Sequence, residues 1–245
     1  MDWLQNYKVL VKDYRDRREA FKEAMESWAK RHPNVPQARG VKDLLALAGD
    51  IGMSALVSYK GIIGAVAEVT DEWAISEQLD FAIRLEMLWF FLHIVDRYAF
   101  GIGGPEFRAA LQDEIAVPSI QAMVTASFVD SSDVEEGFDA KAWESRMVSD
   151  LIEEYNNSTL DYSMCKELGV KGLDSTNSEE VVFGQLNGEE TILAKLAGRI
   201  NRLVSEEFDV LLRVEVWHAA MIALVKSDLK EQVEAIYSIR NDLRL

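Results

Sequence analysis

The chain has 245 residues, 49% hydrophobic and 28% charged, and carries a net charge of −16. That length buries a substantial core in a single domain without staples, while the acidity repels phosphate backbones and anionic lipid surfaces, which argues against nucleic acid or a membrane as partner. Cys165 is the only cysteine, so an intrachain disulfide is excluded and nothing points to an oxidising compartment.

The N-terminal run MDWLQNYKVLVKDYRDRR is charged almost from its start and lacks the apolar stretch of a secretory signal. No segment holds the roughly 20 apolar residues that span a bilayer. A cytoplasmic protein is the expectation. Trp3, Tyr7, Leu10, Val11, Tyr14, Phe21, Met25 and Trp28 recur at helical spacing and predict a surface helix over 2–31, halted by HPNVPQARG. Its aromatic stripe, with Trp3 and Trp28, suits contact with a second subunit.

A second helix is predicted over 41–69. Gly49, Gly52, Gly61 and Gly64 would admit a close neighbour there, at the risk of a break near Gly52 or Gly61. Thr70 suits an N-cap for a third helix running through Leu79, Ile83, Glu86 and His93 to about Ala99. FGIGGPEF ends that helix, and Pro105 opens a fourth that reaches Phe128, with a kink or break at Pro118.

VDSSDVEEGFD reads as a polar loop and 140–168 as a fifth, acidic helix. Residues 129–190 hold 16 acidic and 4 basic side chains, a surface suited to solvation. Residues 169–189 are the least regular part of the chain and the best candidate for mobility. A long sixth helix is predicted over 189–226, its apolar stripe running through Leu193, Leu196, Ile200, Leu203, Phe208, Leu211, Leu212 and Ile222. Ser227 or Asp228 caps a last short helix ending near Leu243. The expected fold is an all-α, single-domain bundle of six or seven helices.

Two apolar helices carry misplaced polar residues. EMLWFFLHIVDR places Glu86, His93 and Asp96 on one face, and LLRVEVWHAAMI places Glu215 and His218 three residues apart. A Glu-x-x-His pair lets one helix offer a carboxylate and an imidazole to the same metal, as in carboxylate-bridged di-iron bundles. The first pair is spaced Glu-x6-His instead, and Glu153, Glu154 and Glu207 are undistinguished further carboxylates, so the chain departs from that pattern. The simpler reading is mutual satisfaction in the core: His93 with Asp96 and His218 with Glu215, while Arg97 and Arg213 neutralise what remains.

Two functions follow as expectations. The first is a non-catalytic module that binds another protein or assembles with itself, needing no cofactor. The alternative is a metal-dependent helical-bundle enzyme in which Glu86, His93, Asp96, Glu215 and His218 hold iron, manganese or zinc. Both turn the histidine-bearing faces of the third and sixth helices inward.

Overall fold

The computed structural model describes residues 38–70, 75–128, 140–165, 167 and 188–242. Those residues are all-α, with six helices and no strand. The helices are α1 (Ala38–Thr70), α2 (Glu77–Phe128), α3 (Ala140–Ser163), α4 (Ile192–Val204), α5 (Val210–Lys226) and α6 (Leu229–Asp242). None of the helices described is long and apolar enough to cross a membrane. The expected helix over 2–31, the loop VDSSDVEEGFD and most of 169–189 lie outside the described residues.

Helix α1 runs unbroken through Gly52 and Gly61. Thr70 does not cap the next helix, because its hydroxyl turns back onto the Val66 and Ala67 carbonyls. Ser76 takes the capping role: its hydroxyl accepts from the Leu79 N–H and its carbonyl accepts from the Asp80 N–H. In α2 only Gly104 leaves helical dihedrals, at φ 74° and ψ −170°. A residue without Cβ adopts that positive φ at little cost, so the chain turns where FGIGGPEF predicts. The expected break at Pro118 is absent, since the helical backbone continues through it to Phe128.

The expected single helix over 189–226 is instead α4 and α5. A buried asparagine makes the break. Asn201 donates to the Ser205 and Glu207 carbonyls, and its side-chain oxygen accepts from the Asp209 N–H and Arg213 Nε. Asp209 then caps α5 by accepting from the Leu212 N–H at 2.8 Å. Five non-helical residues reset the helical phase. The single apolar stripe drawn across 193–222 is therefore split: Leu193, Leu196, Ile200 and Leu212 are buried, whereas Leu203, Phe208, Leu211 and Ile222 are exposed.

The chain divides into two compact units. One comprises Met1–Ser54, Ile94–Ile152 and Ser227–Leu245. Its described core includes Leu47, Ile51, Val95, Leu111, Ile115, Leu229 and Val233. Gly103 lies so close to Phe107 and Tyr237 that a Cβ there would stand 2.6 Å from each ring, and the two rings meet edge to face at 5.0 Å. The other unit comprises Ala55–His93 and Glu153–Lys226. There Ile62, Val66, Ile83, Trp89, Leu196, Val216 and Ala220 are buried. Gly61 lets α1 approach α5 closely, since a Cβ at 61 would sit 3.0 Å from the Ala219 Cβ. Ser58 adds a long hydrogen bond to the Ala219 carbonyl at 3.5 Å.

Candidate functional site: a buried clamp and an exposed seam

Glu86 and His93 face inward, as expected, but their partners come from other helices. Arg199 of α4 grips Glu86 of α2 with two parallel hydrogen bonds, Nε to Oε2 at 2.7 Å and Nη2 to Oε1 at 2.6 Å. Its remaining nitrogen, Nη1, pairs with Asp161 of α3. The Glu86 side chain is 8% exposed and that of Arg199 18%. A planar guanidinium is the cation best matched to a carboxylate fork, and here it ties three helices together. The paired anions hold the Arg199 pKa above its ordinary value, led by the Glu86 hydrogen bonds and opposed by burial. Arg199 is also 5.7 Å from the centre of the Tyr162 ring, within cation–π range.

His93 lies between two tyrosines, stacked on Tyr155 at 5.0 Å and tilted against Tyr162 at 4.6 Å. Its Nε2 is 2.9 Å from Ser158 Oγ. The serine hydroxyl donates its one hydrogen to the Tyr155 carbonyl at 2.7 Å, so it can only accept from His93. The imidazole is thus a donor to Ser158 and is not placed to take the serine's proton, as activation of a nucleophile would require.

Burial first, and the nearby Glu86 charge second, push the Tyr162 hydroxyl well above its ordinary value, so it stays protonated. Glu154 is raised as well, by partial burial and then by Glu86, against the opposing pull of the Trp89 indole and Arg199.

A second anchor sits before α4. Glu189 has φ 47°, unusual for a residue with a Cβ. Its carboxylate meets Lys195 at 3.2 Å, Arg202 at 2.5 Å and Arg213 at 3.6 Å. It rests against Gly198, where a Cβ would collide with it. Burial pushes the Glu189 carboxyl up, but hydrogen bonds and charge from Arg202 and Lys195 outweigh it and hold the group below its ordinary value.

The five residues singled out from the sequence are not brought together as one set. Asp96 pairs with Arg108 at 2.6 Å rather than with His93. Both oxygens of Glu86 are taken by Arg199. Among the described residues no group of three or more His, Cys, Asp or Glu side chains could hold a metal ion. Glu215 and His218 are exposed, which corrects the expectation that this face of α5 turns inward. The helix buries Leu212, Val216, Trp217, Ala220 and Met221 instead. Apolar residues lie nearly all round VLLRVEVWHAAMIALVK, so periodicity alone selects no inner face. Arg213, expected to neutralise carboxylates, reaches Glu189 and Asn201 and stacks over the Phe208 ring at 4.2 Å.

What α5 turns outward is a seam. Leu211, Glu215, His218, Ile222 and Val225 are all exposed. They follow one another at spacings of four, three, four and three, and so occupy an arc of roughly 80° on one side of the helix. Leu211 is 77% exposed, Val225 73% and Ile222 36%. The His218 ring leans 5.2 Å from that of Trp217. The residues missed from sequence are Tyr155, Ser158, Asp161, Tyr162, Glu189 and Arg199. Their one visible trace is an arginine one turn from Leu196 and next to Ile200 on an otherwise apolar stripe.

Comparison with protein family models, curated proteins and solved structures gives no match.

Proposed function

We propose that this protein works as a protein-docking module whose contact face is the outer side of α5. One observation carries the reading: large aliphatic side chains at Leu211, Ile222 and Val225 stand in water at the spacing of a helix–helix seam. Singly exposed apolar residues are ordinary on any protein. An ordered row along one helix face is the pattern by which a helix recognises a partner. The polar groups of the opposite candidate, the Glu86–Arg199–Asp161 cluster, are already committed to one another, so that region supports helix packing.

A photoreactive benzophenone side chain at Leu211, with the same group at exposed Asn157 of α3 as control, tests the proposal in living cells. The expected result is a discrete protein adduct from Leu211 that is lost when Ile222 and Val225 are changed to Ser. No adduct from Leu211 beyond that from Asn157 would overturn it.

A further inference from the structure

The seam on α5 has an internal symmetry that selects its occupant. Reversing the direction of a second α5 about a point between Glu215 and His218 lays Leu211 against Ile222 and Glu215 against His218, and brings Val225 to the start of the partner helix. The apolar Leu211 and Ile222 then meet each other, and the carboxylate meets the imidazole. Exposed Lys226 comes alongside exposed Glu206 and Glu207, which precede the partner helix. A parallel pairing would instead stack Glu215 on Glu215 and His218 on His218, like on like, which disfavours it.

We infer that α5 pairs antiparallel with α5 of a second copy of this chain, forming a two-fold dimer in which each Glu215 meets the partner's His218. A two-fold contact requires a surface complementary to itself, residue i meeting j while j meets i, and this seam meets that condition by setting an apolar residue on an apolar one and a hydrogen-bonding pair on its own reverse. Antiparallel helices also set opposite dipole ends side by side. The contact is one helix of 17 residues, roughly 25 Å long. A patch that narrow falls below the area of a standard stable interface, so the dimer is reversible, with a dissociation constant of about micromolar order.

This inference rests on the docking reading and adds the identity of the partner. Sedimentation equilibrium of the full chain across the micromolar range tests it. The mass rises from one chain to two with concentration. Leu211→Ser with Val225→Ser weakens association by at least about tenfold. Glu215→Lys alone, which sets like charge or no partner across the seam, weakens it by about tenfold. Adding His218→Glu to Glu215→Lys restores opposite groups and returns the affinity to within about threefold of the parent. These positions are exposed, so an unchanged far-UV circular dichroism spectrum certifies the fold of each variant.

A strict monomer at every concentration overturns self-pairing, as does association insensitive to the seam variants. Failure of His218→Glu to rescue Glu215→Lys overturns the antiparallel register. A photo-adduct from Leu211 with a different protein, or within one chain, also overturns self-pairing. The adduct with a different protein leaves the docking proposal standing, so the two failures are distinguishable.

Discussion

Two helices of this chain carry a glutamate and a histidine amid apolar residues, and the fold treats them in opposite ways. On α2, Glu86 and His93 are buried, and Arg199, Ser158, Tyr155 and Tyr162 close around them. On α5, Glu215 and His218 stand in solvent between exposed Leu211 and Ile222. The difference teaches that a polar pair on an apolar stripe has two physical solutions. Either partners from other helices meet it inside the core, or the stripe faces outward and keeps its polar pair wet.

The comparison is sharpest where the buried pair is broken. Arg199→Met leaves the Glu86 carboxylate buried without its cation and costs about 3–5 kcal/mol, measured by urea unfolding. Replacing both groups, Glu86→Leu with Arg199→Met, recovers most of that loss, because the penalty lies in the stranded charge rather than in the missing contact. A double variant as unstable as the single one would show that the clamp's energy comes from packing alone.

The histidines give the next largest contrast. His93→Ala removes the ring between two tyrosines and the donor to Ser158, at about 2–3 kcal/mol. His218→Ala changes stability by less than about 0.5 kcal/mol. Thermal or chemical melts that give equal losses at the two positions would erase the distinction. Gly61→Leu probes the inner side of α5 against its outer side. The added side chain meets Ala219 and costs about 1–3 kcal/mol, whereas Leu211→Ser at the seam leaves monomer stability nearly unchanged.

The smallest effects are in pH dependence, and they have opposite signs. The folded pKa of Glu189 lies below its ordinary value of 4.5, so the unfolded chain holds its proton more tightly. The stabilisation is present above pH 4.5 and is lost as pH falls through the lowered folded value. Glu189→Gln is therefore destabilising at neutral pH, and the gap to the parent narrows in acid. Glu154 is raised above 4.5, so its environment favours the protonated form; that contribution is present below pH 4.5 and lost as pH rises through the folded value. Glu154→Gln is accordingly more stable than the parent at neutral pH and equal to it in acid. Unfolding curves at pH 7 and below 4.5 check both.

Much of the helical plan is written locally. The turn at Gly104 follows from FGIGGPEF, and α6 starts at Leu229, directly after Ser227 and Asp228. The cap of α2 is less decisive, because Thr70 and Ser76 are both hydroxyls near a helix start and only the backbone decides which one turns forward. The break between α4 and α5 turns on Asn201, whose four hydrogen bonds reach forward to residues 205–213 and leave no periodic signal. The polar cluster was half legible. Glu86 and His93 stand out on their stripe, but Arg199 and Ser158 lie 113 and 65 residues away from them. Only tertiary packing joins such positions. The outward seam of α5 was legible as spacing and not as direction, since apolar residues lie nearly all round the helix and its charged Arg213 and Glu215 fall on opposite sides, one buried and one wet.

Selective modification of the imidazoles by diethyl pyrocarbonate, mapped peptide by peptide on dilute native protein, tests this division most directly. His218 is modified rapidly, and His93 stays protected until the chain unfolds. Equal reactivity of the two, or protection of His218 in the dilute monomer, would contradict it.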